Sequence, residues 1–313
     1  MIRSLLRDDD LTAAEQAHVL ARAAAFQRDP HHARPLAGPK AVAMIFDKQT
    51  LRTQVSFSAG IAELGGAAVM VDGALARIGE RESIADVGRV LGRQVEAIVW
   101  RTYEQRRLEE MAHWSGVPVV NALTDEFHPC QLLADLLTVR EEFGELAGRK
   151  VAFLGDGACN MGHSWLLAGA LAGMDVRIAA PAAFAPAPEI LERAAAIAAG
   201  TGGAVAHLED PVAALEGVDV ATTDTWVSMG KEDEAAERAR IFGPYALDEA
   251  ALAHAADHAI VLHCLPAYRG KEISAAVLDG PRSRVWDQAE NRRHVQKAVL
   301  EFCVAGGLPV EAV

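Results

Sequence analysis

The stretch Ala41-Val-Ala-Met-Ile-Phe46, continuing as Asp47-Lys-Gln-Thr-Leu-Arg-Thr-Gln54, decides how this chain is read. Its apolar opening has the length and continuity of a buried strand. From Arg52 to Leu64 the apolar residues Val55, Phe57, Ala59, Ile61 and Leu64 fall at intervals that predict a helix. Lys48, Thr50, Arg52 and Thr53 lie where strand gives way to helix, beside a helix N-terminus with its free N–H groups and partial positive charge. Hydroxyls, a guanidinium and helix-end amides together suit a small phosphorylated ligand. The plainer reading is a capped helix start with a surface arginine.

Outward from this segment the same alternation recurs. Candidate strands are Ala41–Phe46, Ala67–Val71, Val95–Trp100 and Val117–Val120, then Val151–Leu154, Val176–Ala179, Ala204–His207, Val218–Thr222 and Ile260–His263. Strands separated by helical patterns predict an α/β fold with parallel sheets. The charged stretch Arg140 to Lys150, with Gly144 and Gly148, reads as a link between two such units. Gly155-Asp-Gly157 sits between a strand and a helix, but lacks the third glycine and the ribose-binding acid of a dinucleotide site, so a tight turn explains it better. Ala182 to Gly200, with Pro181, Pro186 and Pro188 near its start, reads as a loop into a surface helix.

A chain of 313 residues can bury two cores, and 51% hydrophobic with 23% charged residues is ordinary for a globular enzyme. A net charge of −13 argues against nucleic acid or an anionic membrane as partner, although a local basic pocket can still take an anionic substrate. Cys130, Cys159, Cys264 and Cys303 form no Cys-x-x-Cys pair, so neither a zinc cluster nor a disulfide framework is expected. The N-terminus has no signal-like apolar region, and no run of about 18 apolar residues suggests a membrane span. The cytoplasm is the expected location. His31 and His32 read as solvated loop residues; no metal and no cofactor is expected.

Three later segments, Phe127-His-Pro-Cys-Gln131, Asp224-Thr-Trp-Val-Ser-Met-Gly230 and His263-Cys-Leu-Pro266, carry a resemblance when read with the first. In this order and spacing the chain resembles the ornithine carbamoyltransferases over essentially its whole length. The resemblance implies two α/β domains, about residues 1–135 for carbamoyl phosphate and 150–288 for ornithine, with an active site in the cleft between them. It also implies a last helix, about 291–302, packing back on the first domain, and a homotrimer or multiple of trimers. Transfer of a carbamoyl group from carbamoyl phosphate to the side-chain amine of L-ornithine would rest on preorganised electrostatics rather than a covalent intermediate.

The implied donor side comprises Thr50, Leu51, Arg52, Thr53, Arg77, Arg101, His128 and Gln131. Arg52 would hold the phosphate, while Arg101, His128 and Thr53 would hold the carbonyl oxygen and Gln131 the carbamoyl nitrogen. The implied acceptor side comprises Asn160, Asp224, Ser228, Met229, Cys264 and Leu265, with Asp224 accepting from the α-ammonium and Cys264 and Leu265 near the side-chain amine. Arg101, His128, Cys264 and Arg292 are the implied catalytic set.

The departures lie on the phosphate side. The family's first motif is usually Ser-Thr-Arg-Thr-Arg, whereas here it is Thr50-Leu-Arg-Thr-Gln54. Leu51 removes a hydroxyl, Gln54 replaces an arginine, and Ser58 stands where the family commonly has Glu. Residues 54 and 58 face one another on a helix, so a charge pair has been replaced as a unit. Arg77 in Ala76-Arg-Ile-Gly79 takes the place of a glutamine in a loop that, in this family, reaches a neighbouring subunit's phosphate site. These changes leave two alternatives open: a paralogue with an altered donor or reaction in a specialised pathway, and a catalytically silent ornithine binder.

Overall fold

The structure, a computed structural model, describes residues 2–227 and 232–308. Among these residues the chain forms two parallel sheets, each within its own compact unit: residues 1–137 with 290–313, and residues 138–289.

The first unit carries strands β1 (Ala41–Phe46), β2 (Ala67–Asp72), β3 (Ala97–Arg101) and β4 (Val119–Leu123) in the order β2-β1-β3-β4. Central strand β1 is apolar throughout because both of its faces are covered, and Val42 to Ile45 are fully buried. One face packs Ala43, Ile45, Ile98 and Trp100 against Leu108 and Met111 of the helix Gln105–Ser115. Edge strand β2 is different: Val69 and Met70 remain exposed. The helix Arg52–Glu63 follows β1 and buries Phe57 and Ile61. Its cap position is Leu51, which offers no acceptor, and the Thr50 hydroxyl instead takes a long bond from Thr53 N–H at 3.4 Å.

The second unit carries β5 (Lys150–Leu154), β6 (Asp175–Ala179), β7 (Ala204–Leu208), β8 (Val220–Thr223) and β9 (Ile260–His263) in the order β7-β6-β5-β8-β9. Its core packs Ala152, Leu154, Ala221 and Val261 against Leu252, Val277 and Leu278.

Both orders have the same logic. After β1 the chain moves to one side (β2) and then crosses to the other (β3, β4); after β5 it moves to β6 and β7 and then crosses to β8 and β9. The carboxyl ends of β1 and β3, and of β5 and β8, are therefore topological switch points, where a parallel sheet opens a crevice.

Several sequence boundaries shift. Strand β3 includes Arg101, which was expected just beyond it, because Arg101 pairs in register with Phe46 of β1. Strand β4 runs to Leu123 through the polar Asn121, whose amide donates to Leu6 O at 2.8 Å. Strand β8 starts at Val220 and ends at Thr223 rather than spanning Val218–Thr222. The expected link from Arg140 begins inside the helix Pro129–Phe143. The last helix spans Val285–Ala305, not 291–302, because the charged residues before Asn291 are already helical.

Candidate active site

At the first switch point the residues are brought together by four elements. Arg52 and Thr53 open the helix after β1, and Arg101 ends β3. His128 stands at the start of the helix Pro129–Phe143, its carbonyl accepting from Gln131 N–H at 3.0 Å and Leu132 N–H at 3.2 Å. Pro129 suits the first helical position, where no N–H is needed. Arg292 arrives from the C-terminal helix, donating to the Gln131 side-chain oxygen and to Thr53 Oγ1 at 3.0 Å.

This site is positively charged and largely dry. Thr53, His128, Gln131 and Arg292 are all buried. Burial, then the guanidiniums of Arg292, Arg101 and Arg52, hold the His128 imidazole well below its ordinary range. The ring is thus neutral at neutral pH, fit to share a hydrogen bond without adding charge. The adjacent Cys130 thiol is buried and pushed up to about 12, so it packs rather than reacts. Asp135, one helical turn beyond Gln131, accepts from Gln131 Nε2 at 2.8 Å and fixes which way that amide faces. Sequence reading gave Asp135 no role, although the i, i+4 spacing was available to find it.

Other donor-side residues stand apart. Leu51 is exposed, and Lys48 is drawn to Asp125 while lying 4.6 Å from the Tyr103 ring centroid. The Ser58 hydroxyl is directed at the sulfurs of Met44 and Met70 at 3.8 and 3.9 Å. Arg77 is exposed and pairs with Glu80 at 2.7 Å. Its φ of 48° is left-handed, an uncommon state for a residue with a Cβ. Arg77 O accepts from both Glu80 and Arg81 N–H, and Arg107 donates to Ile78 O at 2.7 Å, so the loop is held from below. Arg107 was not legible as its anchor.

At the second switch point, β5 ends in Gly155-Asp-Gly157 and Asn160 opens the helix Asn160–Leu171. Gly155 has φ 130°, and a Cβ at Gly157 would sit 2.9 Å from both an Ile178 methyl and Phe184 O, so the glycines serve the turn. Asp224 follows β8, and Cys264 and Leu265 follow β9. The Cys264 thiol donates to Asp224 Oδ1 at 3.1 Å. Burial raises the Asp224 carboxyl above the usual carboxylate range, with the hydrogen bonds from the Cys264 thiol and the Thr225 N–H opposing that rise. Ser228 and Met229 lie outside the described residues.

Arg238, on the helix Ala235–Phe242, is a further residue that sequence reading missed. Buried beside Phe184 and Phe242, it donates to Asp156 Oδ2 at 2.8 Å and Trp226 O at 3.1 Å, tying the turn before Asn160 to the segment after Asp224. No local pattern announces a contact over so long a separation. Asp224, His263 and Cys264 also place three potential metal-ligand atoms within 4.8 Å of one another. In this structure the thiol and both His263 nitrogens are engaged with neighbouring groups.

Comparison with known proteins agrees with this geometry. Residues 3–141 match the aspartate/ornithine carbamoyltransferase carbamoyl-P binding domain, and residues 147–303 match the Asp/Orn binding domain of the same family. An ornithine carbamoyltransferase of Clavibacter michiganensis subsp. michiganensis is 58% identical over 300 residues, covering 96% of this chain and 98% of the relative. The solved ornithine carbamoyltransferase from Pyrococcus furiosus superposes with a TM-score of 0.93 at 43% identity, covering 98% of each chain. That from Gloeobacter violaceus gives 0.87 at 45% identity, covering 95% of this chain and 97% of its own. The chain belongs to the aspartate/ornithine carbamoyltransferase family.

Proposed function

We infer that this protein is an ornithine carbamoyltransferase: carbamoyl phosphate and L-ornithine give L-citrulline and phosphate. The observation that carries the reading is the division of chemistry between the two sheets. Neutral, buried His128 and buried Arg292, with half-buried Arg101 and solvent-facing Arg52 beside them, suit a phosphorylated carbonyl donor. A contacting acid and thiol, Asp224 and Cys264, with Asn160 opening the helix that follows the neighbouring strand β5, suit an amino acid.

In this reading Arg52 takes the phosphate, while Thr53, Arg101 and His128 polarise the carbonyl oxygen. Gln131, oriented by Asp135, offers its side-chain oxygen to the carbamoyl nitrogen, and Arg292 braces Gln131 and Thr53. Thr50 lies at the same helix start, Leu51 supplies only backbone there, and Arg77 is donated to a neighbour's phosphate. Asn160, Ser228 and the Met229 backbone hold the amino-acid end, with Asp224 on its ammonium. Cys264 and Leu265 face the side-chain amine. The amine nitrogen attacks the carbonyl carbon; the new C–N bond forms as the C–O bond to phosphate breaks, and phosphate leaves with the electron pair. The nitrogen loses a proton in the process. Positioned charge supplies the rate enhancement.

The reading places the protein in arginine biosynthesis, in the cytoplasm and as a homotrimer. No helix among the described residues is long and apolar enough to cross a membrane. Exposed Leu51, Val55 and Met70 on one helix and the neighbouring edge strand support assembly with further copies. A colorimetric citrulline assay with millimolar carbamoyl phosphate and ornithine tests the reaction. Product well above buffer is expected, and none above buffer would sink the reading.

A further inference from the structure

His263 opens one of the segments that mark this chain, yet neither half of the reaction uses it. Its side chain is fully buried, as is that of Glu272, which lies 3.3 Å away. The geometry fixes the proton on the ring. Leu265 N–H can only donate, and it points to His263 Nδ1 at 2.9 Å, so Nδ1 is the bare nitrogen. Nε2 therefore carries the hydrogen and donates to Glu272 Oε1. The same Oε1 accepts from Tyr268 N–H at 2.5 Å, and the Glu272 backbone carbonyl is rooted to Leu247 N–H at 2.9 Å.

This chain of bonds ends on a strained residue. Leu265 has φ 58°, a left-handed conformation that costs an ordinary L residue roughly a tenfold loss in population. Such a residue persists only when its surroundings over-determine it. The bond from its N–H to the imidazole supplies that constraint, and Cys264, between the two, directs its thiol to Asp224. We propose that His263 and Glu272 form a positioning dyad that holds Leu265 left-handed and so sets the Cys264 thiol and the Leu265 backbone for the acceptor's amine. The proposal rests on the acceptor reading above.

The test is a set of variants assayed for citrulline formation, with ornithine binding measured by calorimetry and folding checked by thermal melting. Glu272→Ala should raise the ornithine KM about tenfold or more, the loss of one buried, charge-assisted constraint, with the carbamoyl phosphate KM changed less than about twofold. Glu272→Gln keeps an acceptor oxygen in place and should stay within about threefold of the parent. Glycine adopts the left-handed conformation freely, so in a Leu265→Gly background the Glu272→Ala change should add less than about threefold. Where Glu272→Ala does not fold, His263→Gln, which abandons the Nδ1 position, should raise the ornithine KM more than His263→Asn, which keeps a polar atom there. The dyad's role is overturned if Glu272→Ala costs the same in both Leu265 backgrounds. It is also overturned if the losses fall equally on donor and acceptor, as general loosening would give. A parent protein that neither binds ornithine nor makes citrulline would refute the acceptor reading itself, and this role with it.

Discussion

His128 shows how one side chain ties the charge of the site to the stability of the fold. Its imidazole is held well below its ordinary range by burial and by three arginines. In the unfolded chain the same ring titrates near its usual value of about 6.5. Between those two values the unfolded state binds a proton that the native state refuses, so stability rises with pH across that window. The contribution is intact above about pH 6.5 and is lost as pH falls toward the folded value, by at most about 1.4 kcal/mol per pH unit. Glutamine has nothing to titrate. His128→Gln should therefore lose less stability than the parent between about pH 6.5 and pH 5, read by urea unfolding at each pH, whatever its cost at neutral pH. Equal slopes would mean that His128 is protonated in the fold. A second prediction concerns the weakened phosphate motif. Leu51 is exposed at the helix cap and Gln54 lies one turn further on, so Leu51→Thr with Gln54→Arg restores a cap acceptor and a cation. One charge-assisted hydrogen bond is worth about 1.5–3 kcal/mol, which predicts roughly a ten- to hundredfold lower donor KM with ornithine KM unchanged. No gain in donor titrations would show that these positions do not limit binding.

Elements were more legible than their ends or their buried charges. Strand β1 is read to the residue because an uninterrupted apolar run between turn residues has few other uses, and the same holds for β9. Strand β4 was cut short because Asn121 breaks the apolar run, although its amide is satisfied by Leu6 O, far away in sequence. The C-terminal helix hides its most consequential residue. Lysines are almost never fully buried unless paired, yet the Lys297 side chain is fully buried, hydrogen-bonded to Pro30 O at 3.1 Å, ion-paired with Glu63 and 4.8 Å from the Phe26 ring centroid. Gly60 leaves room for its stem: a Cβ there would lie 3.1 Å from Lys297 Cγ. Only the folded arrangement of three helices explains a lysine in such a place. Burial lowers its pKa and Glu63 opposes that change. Removing one partner of a buried pair costs about 3–5 kcal/mol, and Arg293, 3.3 Å from Glu63, would keep the loss at the low end. Lys297→Met should thus destabilise by about 3 kcal/mol in urea unfolding, and Glu63→Gln combined with it should cost clearly less than the sum of the single changes. Additive losses would show that the pair is not coupled.

At the scale of the whole molecule, function depends on whether one chain completes its own donor site. Arg77 stands on a loop that Arg107 braces from below, and its partner Glu80 is exposed, a pairing worth no more than about 1 kcal/mol. The guanidinium is thus held in place but readily given up to a phosphate. Leu51, Val55 and Met70 leave apolar surface on the same unit, on edge strand β2 and the helix beside it. In a closed ring each copy presents one patch to its neighbour, and a loop at that boundary can serve the adjacent copy. If Arg77 does so, Arg77→Ala should weaken carbamoyl phosphate binding strongly and leave ornithine affinity nearly unchanged. The loss should shrink in a Gln54→Arg background, since two cations on one phosphate are partly redundant. The decisive measurement mixes Arg77→Ala chains with Arg52→Ala chains and lets subunits exchange. Each parent protein has no intact donor site. In a random ring with equal amounts of the two, about a quarter of the sites combine Arg52 from one chain with Arg77 from its neighbour. Citrulline output should then rise well above the sum of the unmixed variants and track the fraction exchanged. Output that stays at that sum after demonstrated exchange would show that Arg77 acts within its own chain or not at all.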